Sequence, residues 1–433
     1  MTLDQAAPAA AVAGPNVLRA VVVNHWHDDN KGDSAITGGI LRLVRERWPA
    51  ATVRVSTMHE RHTQAYPTQV RHLAESWGVS GEPSFAPTEI GTGPPGTPAT
   101  TLRWLARMSR IAAEVLTGRV SRRSKARLAG VDLVIVIGGS DIYEDPDVRS
   151  LLSVTRLLSV LYPAWAAARL NIPVVLAGHT LGPFPHRAGT ALARRMLAGA
   201  RRAALRESTS LEIAHGLGLR DAVVAPDMAF ATAAARTPRV EALLSPSAPV
   251  ALVLRAHPHA GEEADRRVAE AVAAVGRRLI ADGSADQLLV MAHTLGPTPV
   301  EDDRPVARRL AALLADQPMR LVEDDLSAEE LAALYGGCRA VITVRLHAAI
   351  LALAHGTPAF AIAYMTRKTE GVMVKAGLPD AWCAYDEATT ERIMKALPEL
   401  LADGTRERLD AARTTWLADL RSERDLWTVR QHG

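Results

Sequence analysis

An arginine and a histidine stand two residues apart at the end of an apolar run in the second half of the sequence. Arg345 and His347 follow the β-branched residues 340–344, which are typical of a buried strand, and precede a helix-like run at 348–354. A helix N-terminus attracts anions, and a guanidinium can bind a carboxylate or phosphate through two hydrogen bonds. Because imidazole titrates near neutral pH, the pair predicts an anion site with an acid–base group. The alternative is that Arg345 pairs with an acidic neighbour and His347 caps the helix.

Three further side chains of the second half that could bind an anion also follow apolar runs. Arg255 and His293 come directly or almost directly after a short run, and Lys368 comes four residues after another. The carboxyl ends of parallel strands meet at one edge of a sheet, where ligands bind. We therefore expect Arg255, His293 and Lys368 to converge with Arg345 and His347.

Polar, glycine-containing loops follow the strands predicted in the first half. The candidate residues of these loops are Asn30, Gly32, Asp33, Gly138, Gly139 and His179. Gly32 permits close approach of the backbone to a ligand, and Asp33 can bind a hydroxyl or cap the following helix. The glycine spacing is not the dinucleotide fingerprint, so NAD is not inferred. We expect these loops to face the same cleft as the cations of the second half.

The sequence predicts no metal site. His25 and His27 share a loop, but two histidines without a third fixed ligand do not indicate a metal. The acidic groups at 301–303 and 323–325 are typical of helix starts and solvated turns.

Strands and helices alternate along the chain, which predicts an α/β fold with two successive doubly wound domains around one cleft. The predicted N-terminal domain covers residues 17–235 and holds about six parallel strands. The predicted C-terminal domain covers 248–433, and its last helix, at 406–427, can cross back to the first domain. Residues 1–16, rich in alanine and proline, are predicted to be a disordered leader.

Composition excludes several classes of function. The 433 residues carry a formal net charge of +3, and no stretch interleaves aromatic with basic residues, so no nucleic-acid partner is expected. No apolar run is long enough to span a bilayer. Cys338 and Cys383 cannot form a disulfide framework, which favours a reducing compartment.

A basic segment at 102–128 follows a predicted loop at 81–101 that is rich in proline, glycine and threonine. Its basic residues are Arg103, Arg107, Arg110, Arg119, Arg122, Arg123, Lys125 and Arg127. The segment fits a solvated helix face, a surface for an acidic acceptor, or a surface that contacts a membrane.

Nine motifs, in this order along the chain, resemble those of the polysaccharide pyruvyl transferase family. They are Asn30-Lys31-Gly32-Asp33, Gly138-Gly139-Ser140, residues 178–184, residues 205–210, residues 226–230, Leu254-Arg255, His293 with Glu301-Asp302-Asp303, Arg345-Leu346-His347, and Tyr364 with Lys368 and Gly371. The resemblance covers residues 17–378. The sequence departs from it where Ser140 ends a usual triple glycine, where His179 replaces a common glutamine, and in the segment 81–125, which has no counterpart.

The resemblance implies a fold like the glycosyltransferase B class, with phosphoenolpyruvate as donor and a sugar or lipid-linked saccharide as acceptor. The product would be a ketal of pyruvate on two sugar hydroxyls, formed without a metal or other cofactor. His347 and Arg345 would be catalytic, and Arg255, Lys368 and His293 would join them in binding the donor. The acceptor would meet the first-half loops, at Asn30, Gly32, Asp33, Gly138, Gly139 and His179.

Such an enzyme would be cytoplasmic and could contact the inner face of the membrane peripherally. Three alternatives remain open from the sequence. The chain could be a nucleotide-sugar-dependent glycosyltransferase of the same architecture, or a pyruvyl transferase that tailors a small natural product. It could also be a binding protein that has lost catalysis. The sequence does not indicate an oligomeric state.

Overall fold

The computed structural model describes residues 17–61, 63–87, 98–144, 150–244, 248–364 and 366–430. The leader predicted at 1–16 lies outside these ranges. The described residues form two parallel β-sheets, one in each half of the chain, with helices packed around them.

Seven described strands form the first sheet, in the order β3-β2-β1-β4-β5-β6-β7. They are β1 (Arg19–His25), β2 (Thr52–Thr57), β3 (Ser80–Glu82), β4 (Leu133–Ile137), β5 (Val174–His179), β6 (Arg202–Leu205) and β7 (Ala222–Val224). The prediction for this half lacks β3, a three-residue edge strand at the start of the segment predicted as a loop.

Six described strands form the second sheet, in the order β10-β9-β8-β11-β12-β13. They are β8 (Val250–Val253), β9 (Leu288–Met291), β10 (Met319–Val322), β11 (Ala340–Thr343), β12 (Ala359–Ala363) and β13 (Trp382–Ala384).

The helices of the first half are α1 (Lys31–Arg47), α2 (Arg71–Trp77), α3 (Pro98–Thr117), α4 (Arg122–Arg127), α5 (Ser150–Arg169), α6 (Arg187–Leu197), α7 (Ser208–Leu217) and α8 (Pro238–Leu244). Those of the second half are α9 (Glu262–Ala281), α10 (Arg304–Leu313), α11 (Ala328–Gly337), α12 (Leu346–Ala354), α13 (Thr366–Lys375), α14 (Thr390–Leu400) and α15 (Asp403–Asp425). Within the described ranges, none of the helices combines the length and apolarity needed to cross a bilayer.

Each sheet has a point at which the order of its strands reverses. In the first sheet the chain winds outward from β1 in one direction and from β4 in the other, and these strands pair in parallel. In the second sheet β8 and β11 play the same part. The predicted fold of two doubly wound, Rossmann-like domains is confirmed. In such sheets the loops at the reversal point leave a crevice for ligands.

The central strands are buried on both faces because helices cover the sheets. Every residue of β4 and of β8 is buried, and β1 is buried except at Arg19. This burial accounts for continuous valine and isoleucine runs in place of alternating patterns. Helix α12 buries every residue from 348 to 354, so the residues at its start are fixed by a core element.

Buried polar contacts join the two halves. Lys31 Nζ, at the start of α1, donates to Asp325 Oδ1 of the second half at 2.7 Å, and Trp77 donates to Glu329 at 2.7 Å. Helix α15 crosses back to the first half, where Arg202 binds Glu423 through two nitrogen atoms. These contacts fix the ligand edges of the two sheets relative to each other.

Candidate functional site

A cavity of about 250 Å³ lies where the reversal points of the two sheets face each other. Its lining residues follow strands of both sheets. They are Asn30, Gly32, Asp33, Ser140, Arg206, Arg255, His293, Thr294, Glu301, Arg345, Leu346, His347, Tyr364, Lys368 and Thr369. The cavity therefore brings together the three cations that the sequence singled out in the second half, and three of the six candidates from the first.

Arg345 is held by a buried carboxylate. Its Nε lies 2.9 Å from Asp303 Oδ2, its Nη2 lies 2.6 Å from Asp303 Oδ1, and Nη2 also donates to the carbonyl of Glu301 at 2.9 Å. The side chains of Arg345 and Asp303 are 11% and 2% exposed. The alternative that Arg345 pairs with an acidic neighbour is thus confirmed, and the pair also forms part of the cavity wall.

Arg255 forms no ion pair with a described residue. Its guanidinium carbon lies 4.6 Å from the centre of the Tyr364 ring, and Nε donates to the carbonyl of Ala256 at 3.1 Å. Burial and the nearby charge of Arg345 lower the pKa of Arg255. Because Arg255 is partly buried and forms no ion pair with a described residue, its guanidinium is suited to an anionic ligand.

Lys368 reaches from the second half of the chain to the first, where Nζ donates to the hydroxyl of Ser140. Burial, together with the charge of Arg206, lowers the pKa of Lys368 to about 8. The ammonium group is therefore charged at neutral pH but loses its proton at moderately alkaline pH.

His347 packs against the backbone of α1. A Cβ added at Gly32 would lie 2.4 Å from His347 Nδ1, so only glycine allows this approach. Its Nε2 has no hydrogen-bond partner among the described residues and lies 3.9 Å from Asp227 Oδ2. Burial and nearby arginines lower the pKa of His347 to about 4. No side chain caps α12, so His347 has no capping role.

Two more polar atoms on the cavity wall have no hydrogen-bond partner among the described residues. They are Nε2 of His293, whose Nδ1 lies 3.0 Å from the hydroxyl of Tyr335, and Oγ1 of Thr294. Burial lowers the pKa of His293 well below its usual value. Buried polar atoms of this kind are normally satisfied, which indicates that a ligand or ordered water completes the site.

Asp33 is the carboxyl of the cavity that most favours acid–base chemistry. It forms no hydrogen bond or ion pair with a described residue, although it lies in the first turn of α1. Burial, followed by the nearby carboxylates of Asp141 and Glu301, raises the pKa of Asp33 well above its usual value. A carboxyl of this kind keeps its proton nearer to neutral pH, as a general acid requires.

Arg206 and Asp227 were not among the predicted site residues, although two of the nine motifs contain them. Arg206 Nη1 donates to Asp227 Oδ2 at 2.6 Å, and Nη2 donates to Thr180 Oγ1 at 2.9 Å and to Gly139 O at 3.2 Å. Arg206 lines the cavity beside Lys368. The signal was an arginine directly after β6, close to the position that Arg345 occupies two residues after β11.

Gly138, Gly139 and His179 do not line the cavity that the described residues form. A Cβ at Gly138 would lie 2.3 Å from the carbonyl oxygen of Gly178, so this glycine serves close packing of β4 against β5. The carbonyl of Gly139 accepts from Thr180 N at 2.9 Å. His179 is fully buried, its Nε2 lies 3.2 Å from Val136 O, and burial lowers its pKa to about 3. The three residues support the cavity wall from behind, and Ser140 reaches the cavity in their place.

The side chains of His25 and His27 form hydrogen bonds within the fold. His25 bonds the hydroxyl of Thr37 and the carbonyl of Gln69, at 3.0 and 3.1 Å, and His27 bonds the carbonyl of Ala65 at 3.0 Å. Among the described residues, no three histidine, cysteine or carboxylate side chains are grouped to hold a metal ion.

The arrangement suits a small, multiply charged anion. Cationic groups from both sheets surround the cavity, and unpartnered polar nitrogens lie between them. Close by, one carboxyl with a raised pKa and one imidazole with a lowered pKa provide an acid and a base. The raised pKa favours the protonated carboxyl and the lowered pKa favours the neutral imidazole, so the two groups can donate and accept a proton.

Comparisons with known proteins identify the family that the chain matches. The family model described as "Polysaccharide pyruvyl transferase" matches residues 30–365. The amylovoran biosynthesis protein AmsJ of Erwinia amylovora is 30% identical over 271 residues, which are 59% of this chain and 61% of that protein.

Solved structures support the architecture. A UDP-GlcNAc 2-epimerase of Neisseria meningitidis aligns with a TM-score of 0.53 at 12% identity and covers 93% of this chain and 99% of its own. A glycosyltransferase of Rickettsia africae aligns with a TM-score of 0.50 at 13% identity and covers 95% and 98%. At such identities the likeness concerns the fold alone, two Rossmann-like domains as in glycosyltransferases of the B class.

Proposed function

Because the chain belongs to the polysaccharide pyruvyl transferase family, we propose that it transfers the pyruvyl group of phosphoenolpyruvate to two hydroxyls of a saccharide. The products are a cyclic ketal and inorganic phosphate. The similarity to a protein of amylovoran biosynthesis supports an acceptor that belongs to a polysaccharide or its precursor, including a lipid-linked one. Cys338 and Cys383 are both buried and free, which fits a reducing, cytoplasmic location.

One observation carries the proposal: Arg255, Arg345 and Lys368 line a single cavity together with the unpartnered nitrogens of His293 and His347. Phosphoenolpyruvate presents a carboxylate and a phosphate on a three-carbon frame, so it needs several fixed donors within a short span. Charge-assisted hydrogen bonds contribute about 1.5–3 kcal/mol each, so a few suffice for useful affinity.

The size of the cavity also favours this donor. At about 250 Å³ it is smaller than the roughly 300–1,000 Å³ typical of sites for drug-sized ligands. A nucleotide sugar is much larger than phosphoenolpyruvate and would leave the acceptor less room in this cavity. The donor of the proposed reaction is therefore favoured over that of a nucleotide-sugar glycosyltransferase.

The reaction begins with proton transfer to the methylene carbon of the donor, which makes the central carbon electrophilic. Asp33, with its raised pKa and its lack of partners, supplies this proton. The first acceptor hydroxyl then attacks the central carbon and releases its proton to the neutral imidazole of His347. Both groups line the same cavity, and Gly32, which precedes Asp33, contacts the His347 ring.

Phosphate leaves when the bond between its bridging oxygen and the central carbon breaks. Arg255 and Lys368 stabilise the charge that develops on it. The second acceptor hydroxyl then closes the ring and releases its proton. Of the two hydroxyl protons, one replaces the proton used at the methylene carbon and the other leaves with the phosphate. Asn30 and Ser140, on the first-half wall, would hydrogen-bond the acceptor.

The decisive experiment is mass spectrometry of candidate saccharide acceptors incubated with phosphoenolpyruvate, with phosphate release followed in parallel. We expect a product heavier by one pyruvyl unit less water. Asp33→Asn and His347→Gln should each reduce transfer by about 10²–10⁴-fold without changing the melting temperature. Wild-type activity in both variants would remove the acid–base assignment.

Thermal shifts distinguish the donor classes. Phosphoenolpyruvate should raise the melting temperature of the wild-type protein, because a ligand that binds only the folded state stabilises it. Stabilisation by a nucleotide sugar and not by phosphoenolpyruvate would overturn the proposed donor. Turnover of a small natural product and of no saccharide would keep the donor and replace the acceptor.

A further inference from the structure

Helix α3 carries a packed apolar face and, beside it, a strip of exposed leucines. Its inward face packs Met108, Ile111 and Val115 against the core. Its outward side exposes Leu102 and Leu116, which are 68% and 76% exposed. Their spacing in the sequence places both on one side of the helix. A third leucine of that side, Leu105, is 48% exposed. A helix that packs one apolar face and still exposes another normally covers the second face with a partner or a lipid surface.

The segment that carries the exposed leucines also carries exposed cations that form no ion pair with a described residue. Arg107 and Arg127 of this segment are engaged by Glu60 and Glu82. The exposed basic residues that form no ion pair with a described residue are Arg103, Arg119, Arg122, Arg123 and Lys125. From residue 101 to 128, Glu114 is the one acidic residue, and it is buried, with its carboxylate bonded to the hydroxyl of Tyr162. The surface is therefore strongly positive as well as apolar.

The N-terminal part of α3 lies towards the ligand edge of the first sheet. Arg107 binds Glu60, which comes three residues after the carboxyl end of β2, whereas Gly118, beyond the far end of α3, accepts from Arg169 at the end of α5. Leu102 and Leu105 precede Arg107, so the exposed leucines begin on the side of the molecule where the cavity opens.

We propose that the outward face of α3, together with the basic residues of α3, α4 and the loop between them, docks on an anionic lipid bilayer. We call this set the α3 surface: Leu102, Leu105, Leu116, Arg103, Arg119, Arg122, Arg123 and Lys125. Leucine side chains enter the interface between head groups and acyl chains while the arginines contact lipid phosphates. An acidic polysaccharide would use the cations but would gain nothing from the leucines, so the lipid surface is the occupant that uses both.

Docking of this kind would place the cavity close to the membrane, where a lipid-linked saccharide presents its sugar. The docking surface itself is separate from the reaction. None of its residues lines the cavity formed by the described residues.

The test is flotation of the full-length protein with phosphatidylcholine vesicles, with and without phosphatidylglycerol, at low and high salt. We expect binding to the anionic vesicles that weakens with salt, and little binding to the neutral ones. The triple change Leu102→Ser, Leu105→Ser and Leu116→Ser should weaken binding to anionic vesicles by roughly tenfold or more. Replacing the five cations by glutamine should weaken it by a similar or larger factor.

Matched controls use exposed residues of the same type elsewhere. For the leucines, the control is serine at the exposed apolar residues Val224, Val374 and Leu426. For the cations, it is glutamine at the exposed residues Arg201, Arg220, Arg309, Arg339 and Lys395. Both controls should bind vesicles like the wild type, and all variants should keep the wild-type melting temperature.

Three outcomes would overturn the proposal. One is a wild-type protein that stays unbound with anionic vesicles, and another is a leucine variant that binds as well as the wild type. The third is binding to the phosphatidylcholine vesicles that is as tight as binding to the anionic ones, since the cations would then play no part in docking. Loss of vesicle binding with unchanged pyruvyl transfer to a soluble acceptor would support docking, whichever acceptor the enzyme uses.

Discussion

The carboxyl ends of β8 and β11 carry equivalent arginines in opposite surroundings. The two strands pair in parallel, with Val253 opposite Thr343, and Arg255 and Arg345 follow them at the same edge. Arg345 is buried and tied to Asp303 by two short contacts, whereas Arg255 has no carboxylate and lies over the ring of Tyr364. The end of β11 is thus a closely packed wall, and the end of β8 is an open cationic surface.

The two arginines therefore contribute to one anion site in different ways. A guanidinium that is already bound to a buried carboxylate shapes the wall of the site, and its charge is partly neutralised. A guanidinium without an opposite charge is available for the anion itself. The end of β11 also holds His347 against Gly32, and Lys368, after β12, bridges to Ser140. We therefore expect changes at β11 to affect the fold and the chemistry together, and changes at β8 to affect donor binding alone.

The largest effect should come from Arg345→Ala, which leaves Asp303 as an unpaired buried charge. We expect the free energy of unfolding to fall by about 3–5 kcal/mol and pyruvyl transfer to disappear. Urea denaturation and turnover of phosphoenolpyruvate measure the two quantities.

The double change Arg345→Met with Asp303→Leu is the matched control, because it removes both charges. It should recover most of the lost stability without recovering transfer. If Arg345→Ala unfolds within about 1 kcal/mol of the wild type, the pair is not the structural anchor that distinguishes β11 from β8.

The next effect in size should come from Gly32→Ala, which tests how closely the wall at β11 is packed. The added methyl group would lie 2.4 Å from His347 Nδ1 and must displace the ring. We expect kcat to fall by about a hundredfold, since a displacement of about 1 Å can cost that much. Gly216→Ala, in the last turn of α7 with nothing within 4 Å of the new methyl group, should leave kcat unchanged. Equal kcat values in the two variants would contradict the role of this contact.

Arg255→Ala should have a smaller and more selective effect. Loss of charge-assisted hydrogen bonds of about 1.5–3 kcal/mol should raise the KM for phosphoenolpyruvate by roughly 10- to 100-fold. The free energy of unfolding should stay within about 0.5 kcal/mol of the wild type, because no ion pair is broken. Arg255→Lys, which keeps a cation, should recover part of the affinity. An unchanged KM with a lower stability would reverse the assigned roles of Arg255 and Arg345.

The smallest effect concerns pH. Burial lowers the pKa of Lys368 to about 8, so kcat/KM for phosphoenolpyruvate should fall several-fold above about pH 8 as the ammonium loses its proton. Lys368→Arg should remove this alkaline decline, because a guanidinium stays protonated. A decline that persists unchanged in the variant would assign it to another group.

The lowered pKa of Lys368 also affects stability. With rising pH, stability should change in the direction opposite to activity. Between about pH 8 and 10.5 the unfolded chain binds more protons at Lys31 and Lys368 than the folded chain does. The free energy of unfolding should therefore rise with pH across this window, as far as these two lysines contribute. Urea denaturation at several pH values measures it, with Lys368→Arg as the comparison.

Much of the fold was predictable because its signals are local. Continuous valine and isoleucine runs such as residues 131–137 indicate strands buried on both faces, and glycine or proline marks the turns between elements. The edge strand β3 escaped prediction because its three residues, Ser80–Glu82, include a glycine and a glutamate and form no apolar run. Strand propensity is weak at an exposed edge, where pairing with β2 decides.

The candidate site was predictable in part, for a related reason. Residues at or just beyond the carboxyl end of a parallel strand, and those that begin the next helix, reach the ligand edge, which is why Arg255, Asp33 and His347 do line the cavity. His179 meets the same criterion but is turned into the core, where Val136 accepts its hydrogen bond. Arg206 also meets it and was passed over.

The sequence by itself determined the order of strands and helices, the two doubly wound halves and the set of residues that can reach their ligand edges. The tertiary structure decided which of those residues face the cavity, which are already paired, and how they titrate. Asp303 reaches Arg345 from 42 residues away, and the pKa values of Asp33 and His347 are shifted first of all by burial. Propensity acts between neighbours in sequence, whereas desolvation and ion pairing depend on what the folded chain brings within a few ångströms.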